Sequence, residues 1–253
     1  NLQAMWLRTS TDVSVRQRLH EVLRQAIIRM VLAPGQAISE KEIADLFTVS
    51  RQPVREAFIR LSESGLVEVR PQRGTYVVRI SRQAVLEARF IRESLEVAIA
   101  LEAAKCTLPS SVLMELNELI ERQRSCIERQ DHDRFFFLDE MFHRTLAIST
   151  GQTMAWNVIE DVKAQLDRVR YLSIPDSTPI PKLADQHQAI VDAISAGDTE
   201  AAEQAMSIHQ REILQSCLKM WASMLMRYLY KTAGKTTKKQ HRPRYEGPAR
   251  TGW

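Results

Sequence analysis

Apolar residues recur with helical spacing at Val15, Leu19, Val22, Leu23, Ala26, Ile27 and Met30. This predicts a helix over 15–31, ended by "LAPGQ", where Pro34 and Gly35 break the pattern. In "SEKEIADLF", Ser39 followed three residues later by Glu42 fits a capping box and opens a short helix that runs to Phe47. After "TVS", Ser50 is placed to cap "RQPVREAFIRLSES". That helix tolerates Pro53 in its first turn, where no intrahelical donor is lost, and stops at Gly65. The pattern then changes: β-branched residues in "LVEVR" and "TYVVRI" around "PQRG" predict a small hairpin. Helical spacing returns near Ser81, with helices expected near 82–106, 110–129, 134–149, 153–172, 181–196 and 199–230. No element is assigned to the opening "NLQA", and periodicity is lost after Tyr230, where disorder is expected.

The expected plan is mainly α. A small mixed domain spans 10–80, an antiparallel all-helical bundle spans 81–230, and a basic tail covers 231–253. Composition agrees: with 44% hydrophobic and 26% charged residues the chain can form a packed core, and 8 Gly and 9 Pro in 253 residues favour helix over a turn-rich β architecture. No stretch approaches the ~18–20 apolar residues of a membrane span. The N-terminus lacks the basic, apolar and small-residue order of a secretory leader. Cys106, Cys126 and Cys217 are far apart and odd in number, so they read as buried helix residues in a reducing compartment, the cytoplasm. Net charge is uneven, +3 over 1–78, −5 over 79–230 and +6 over 231–253. An anionic partner is therefore expected to meet one end of the molecule.

The front of the chain supplies that partner's binding element. Three helices and a hairpin, the second and third helices joined by a three-residue turn, describe a winged helix-turn-helix. Arg51, Gln52 and Arg55 occupy exposed early positions of the third helix, residue types that meet guanine edges, adenine edges and phosphates. Val54, Ala57, Phe58 and Leu61 form its buried face, and Arg70 and Arg73 flank the wing turn beside Gly74. A basic helix alone would be an ordinary solvated face; the ordered set favours DNA. "IADLFTVSRQPVREAFIRLSESGLVEVRPQRGTYV" closely resembles the DNA-binding domain of GntR-type bacterial transcription regulators over about 15–80. The resemblance implies DNA contacts at Lys41, Arg51, Gln52, Arg55, Arg73 and Gly74. Thr48 stands where that family usually has a turn glycine, and Gln52 where it has Thr or Gly.

The bundle carries a second constellation, in "FFFLDEMFHRTLAI". Asp139 and His143 lie four residues apart and share a helix face. His187 shares a face with Leu183, Ile190, Val191 and Ile194, and His209 with Ala202, Met206, Ile213 and Cys217. His20, His132 and His241 are explained by solvent exposure. Any one inward histidine is more simply a hydrogen-bonded core residue. Three of them with a carboxylate suit a divalent transition metal, zinc first, with nickel, manganese or iron as alternatives.

"RESLE", "DEMFH", "DQHQAIVDAISAGD" and "MSIHQ" resemble, more loosely, the FCD ligand-binding domain of the FadR-like GntR branch over about 82–225. That resemblance implies an FCD-like bundle whose metal-binding subgroup uses Asp139, His143, His187 and His209. It also matches Arg92 to an arginine that meets a ligand carboxylate; an i, i+4 pair with Glu96 is the competing reading. The chain is thus expected to be a non-enzymatic transcription regulator, a homodimer on a palindromic operator in double-stranded DNA, with no membrane partner. Its switch would be a small organic acid at the metal site. The alternatives are a metalloenzyme fused to a DNA-binding domain, with Glu140 the nearest base, and a purely structural metal.

Overall fold

The computed structural model describes residues 1–173, 180–212 and 215. The front of the chain contains α1 (Leu2–Arg8), α2 (Val15–Ile28), β1 (Ala37–Ile38), α3 (Glu40–Phe47), α4 (Arg51–Glu63), β2 (Val67–Arg70) and β3 (Gly74–Val77). The strands form one antiparallel sheet in the order β1-β3-β2, with Ala37 opposite Tyr76 and Arg70 opposite Gly74. This is the expected winged helix-turn-helix, enlarged by two elements that periodicity could not reveal. β1 is only two residues long, and α1 is held by Trp6 stacking on Phe47 with ring centroids 4.8 Å apart.

The helix starts differ from expectation in detail. Ser39 accepts from the Glu42 amide at 3.4 Å, one half of a capping box, and Ser50 makes no side-chain cap hydrogen bond. The reciprocal box forms instead at Ser14 and Gln17, at the head of α2. α2 ends at Ile28, three residues early, because Met30 takes a left-handed φ of 59°.

The helical part contains α5 (Arg82–Lys105), α6 (Ser110–Arg129), α7 (His132–Ser149), α8 (Thr153–Val162), α9 (Ala164–Ser173) and α10 (Ile180–Ser195). Residues 199–212, here called α11, are helical. The single helix expected over 153–172 is two, divided at Lys163, where ψ rises to −9° and the buried ammonium pairs with Glu140 and Asp167. Cys106 is exposed, not buried as expected, because it lies just past the end of α5. His20 is half-buried, and His132 is the first residue of α7. Cys217, His241 and the basic tail lie outside the described residues.

Two apolar cores result. One gathers α2, α3, α4 and the sheet around Leu23, Ile27, Val54 and Leu61, and takes in Ala164 of α9. The other gathers α5, α6, α7, α8, α10 and α11 around Ala100, Ile120, Phe142, Ile190 and Met206. Among the described residues, no helix is long and apolar enough to cross a membrane.

Candidate metal centre and DNA-binding face

Asp139 and His143 sit one turn apart on α7, His187 comes from the middle of α10 and His209 from α11. All four are buried, and one ligand atom from each falls within 4.8 Å of all the others. The Nε2 of His209 stands 3.2 Å from that of His143 and 3.3 Å from that of His187. Asp139 Oδ1 lies 3.7 Å from His187 Nε2 and has no hydrogen-bond partner.

The outer edges of the three rings explain why the inner nitrogens face one another. His187 Nδ1 donates to Gln123 Oε1 at 2.7 Å, and Gln123 is oriented by giving its own amide to the Leu138 carbonyl at 3.3 Å. His209 Nδ1 donates to Gln186 Oε1 at 3.2 Å. His143 Nδ1 lies 2.7 Å from Glu96 Oε2 without forming a well-directed hydrogen bond to it. With the ring protons of His187 and His209 directed at these outer acceptors, their Nε2 lone pairs face each other, and His143 Nε2 lies 3.2 Å from that of His209. Burial lowers the His187 pKa to about 3, and His143 and Arg170 act in the same direction against the pull of Asp139. Burial, with His187 and His143 nearby, also drives His209 well below its ordinary value. A proton is therefore a poor guest for the space between them.

Asp139 brings a carboxylate oxygen to the inner side of the rings, where the Nε2 atoms meet. Burial alone would raise its pKa, but Arg170, then His143 and His187, outweigh it and keep the carboxylate ionised. The donor set fits a transition-metal ion. With bonds of about 2.0–2.1 Å, two nitrogens on one ion stand roughly 3.0–3.4 Å apart, and imidazole with carboxylate is a borderline donor mixture. The orphaned Oδ1 would be the fourth donor to such an ion.

Arg92 makes the i, i+4 pair with Glu96 that stood as the competing reading. Its Nε donates to Glu96 Oε1 at 2.5 Å, the i, i+4 pair, while its buried Nη1 has no partner. Glu96, held by Arg92 and His143 against the cost of burial, has a pKa lowered to about 2 and also accepts from Gln210. Sequence reading missed Glu96, Gln123 and Gln186 as partners of the rings. Only Glu96 left a signal, as the acid one turn after Arg92 in "RESLE".

On the front domain, Arg51, Gln52 and Arg55 are exposed along α4. Lys41 is exposed on α3, and Arg73 and Gly74 are exposed at the wing turn. Val54, Ala57, Phe58 and Leu61 fill the core beneath them. Arg55 makes a forked pair with Glu40 at 3.1–3.3 Å, and Gln52 donates to Glu56 at 3.1 Å. Tyr76 donates its hydroxyl to the Arg73 carbonyl at 2.9 Å, and Gln72 and Gly74 take positive φ of 60° and 99° to close the turn. Basic groups on one helix, its neighbour and a tight loop form a surface that can follow a groove and its phosphates.

Comparison with known proteins gives two family matches, "Bacterial regulatory proteins, gntR family" over residues 15–77 and "FCD domain" over residues 87–212. The chain is 44% identical over 202 residues to the HTH-type transcriptional repressor RspR of Escherichia coli (strain K12), covering 80% of this chain and 88% of that protein. It is 25% identical over 229 residues to the gluconate operon transcriptional repressor of Bacillus subtilis (strain 168), covering 88% and 92%. Its fold is similar to that of a solved GntR regulator from Rhodococcus sp. RHA1, with a TM-score of 0.69 and 26% identity over 82% of this chain and 99% of that one. E. coli McbR/YncC shares the fold at a TM-score of 0.74 and 19% identity, covering 83% and 99%.

Proposed function

Because this chain belongs to the GntR family of bacterial regulatory proteins and is a DNA-binding transcription regulator with an FCD domain, we propose that a divalent cation and a small carboxylate in its helical part set its operator affinity. Asp139, His143, His187 and His209 would hold the cation, and Arg92 would meet the carboxylate. The observation that carries this is the convergence of three histidine Nε2 atoms, 3.2 and 3.3 Å apart, and an unpartnered Asp139 oxygen in a buried space. A cation held there would supply positive charge for the carboxylate of an organic acid to meet. The free Nη1 of Arg92 supplies a donor of matching charge.

DNA contact is assigned to Lys41, Arg51, Gln52, Arg55, Arg73 and Gly74, and the working form is a cytoplasmic homodimer on a palindromic site. The names of the E. coli and B. subtilis relatives support repression as the sign. The relatives are named as regulators and not as enzymes. Glu140, the nearest candidate base, is paired with Lys163.

A panel of hydroxy acids, added to the zinc-loaded protein on a DNA duplex selected by that protein, tests the reading. One acid should shift DNA affinity in zinc and not in chelator; no response to any acid would refute effector control. The burial of all four donors favours a second reading, a cation that only braces the bundle. In that case chelation would melt helical signal and carboxylates would leave DNA affinity unchanged.

A further inference from the structure

α9 reads as polar in sequence, "AQLDRVR", yet every residue from Ala164 to Arg170 is buried. Its partners explain this, because it touches both functional parts of the molecule. Toward the DNA reader, Gln165 donates to the Gly65 carbonyl at 2.9 Å and Arg168 to the Val78 carbonyl at 2.8 Å. Gly65 lies just past the end of α4, and Val78 just past the end of β3 in the wing. Toward the metal centre, Arg170 Nη2 donates to Asp139 Oδ2. Asp167 joins the two sides. Its Oδ1 accepts from Arg170 Nη1 at 3.2 Å, and its Oδ2 lies 3.6 Å from Arg24 Nη2 on α2 and 3.3 Å from Lys163 Nζ.

The side chains thus form an alternating series, Asp139–Arg170–Asp167–Arg24, running from the four-donor site to the DNA reader. We propose that α9 carries the state of that site to the reader through this series, with Arg170 as the positioning residue for Asp139. The inference rests on the cation reading above.

A carboxylate has two oxygens, and here they have different tasks. Arg170 holds Oδ2, which fixes the orientation that leaves Oδ1 facing His187. When Asp139 gives Oδ1 to a cation, less negative charge remains for Arg170. Arg170 then leans more on Asp167, and Asp167 has less to offer Arg24 and Lys163. Buried pairs are weakly screened, so a change at one link is felt at the next. Arg24 is on α2, against which the recognition helix α4 packs, and α9 also holds the carbonyls that follow α4 and β3. A shift of α9 therefore re-aims the DNA-contacting surface. Linkage makes the effect reciprocal: DNA must change cation affinity by the factor by which the cation changes DNA affinity.

The full chain is tested on a duplex that the wild type selects from a random library, with ZnCl2 or with chelator. In the wild type, DNA affinity should differ between the two conditions by about 5–150-fold, and added DNA should shift zinc affinity by the same factor. Asp167→Asn should still bind zinc but bring both ratios close to one. Arg24→Gln, at the reader end and away from the site, should do the same and decides the matter if the Asp167 variant does not fold. Either folded variant binding zinc with the wild-type ratio would overturn the coupling. Wild type that binds zinc with no change in DNA affinity would also overturn it, and leave the cation reading standing. Wild type that binds no zinc would remove the cation reading, and the coupling with it.

Discussion

His187 and His209 face each other Nε2 to Nε2 at 3.3 Å, while Gln123 and Gln186 hold the opposite edges of the two rings. Two imidazoles so held offer each other lone pairs, an arrangement that a shared cation stabilises and that the metal-free protein must tolerate. The consequences extend to pH, to the residues around the rings and to the reader.

The pH dependence has a definite sign. His187 titrates near 6.5 when unfolded and at about 3 in the fold. Between those values the unfolded chain takes a proton that the folded chain refuses. Stability of chelated protein should therefore fall as pH drops from 6.5 toward 3, by up to about 1.4 kcal/mol per pH unit per such group. His209 is shifted the same way and steepens the fall. Above 6.5 these groups contribute no slope. Urea midpoints at several pH values check this, and a flat profile from 6.5 to 4 would contradict it.

Gln123 orients the His187 ring without facing the other donors. Gln123→Leu removes the acceptor for Nδ1–H and should weaken zinc binding by about 10–100-fold while leaving one ion per chain at saturation. Competition with a chromophoric chelator reads the affinity. Unchanged affinity would mean the ring is held by packing on Phe142 alone, whose ring lies 4.2 Å away.

Arg55 is preset by its forked pair with Glu40. Arg55→Ala should cost about 1–3 kcal/mol of specific DNA binding if the fork exchanges Glu40 for a guanine edge, with oligomeric state unchanged in sedimentation. Undiminished affinity for the selected duplex would remove Arg55 from the contact surface.

Thr48 occupies the left-handed region, φ 55° and ψ 47°, at the end of α3. A β-branched residue is costly there, by roughly 1–2 kcal/mol. Thr48→Gly should raise the thermal midpoint of the protein, by an amount corresponding to about 1 kcal/mol once glycine's greater unfolded freedom is set against the relief. A lowered midpoint would show that the threonine is held by something other than backbone geometry.

Much of this architecture is legible in the chain because local chemistry agrees with the global fold. "SRQPVREAFIRLSESGLV" reads as a helix with one apolar face, and Val54, Ala57, Phe58 and Leu61 are buried along it. The four donors were visible as polar residues on otherwise apolar faces, and those faces do meet. α9 was not legible. Its buried Asp167, Arg168 and Arg170 look like a solvated surface until their partners appear, and Arg24, Val78 and Asp139 come from distant parts of the sequence. The break at Lys163 has the same origin, since no proline or glycine marks it. β1 escaped because two residues hold no periodicity, and α1 because its anchor is the long-range stack of Trp6 on Phe47.

The most direct measurement is metal content. Wild-type protein, dialysed against zinc and then metal-free buffer, should carry one ion per chain by elemental analysis, and His187→Ala should carry substantially less while keeping its helical signal. Wild type without bound metal, or a folded His187→Ala that retains a full equivalent, would contradict the assignment of these four side chains.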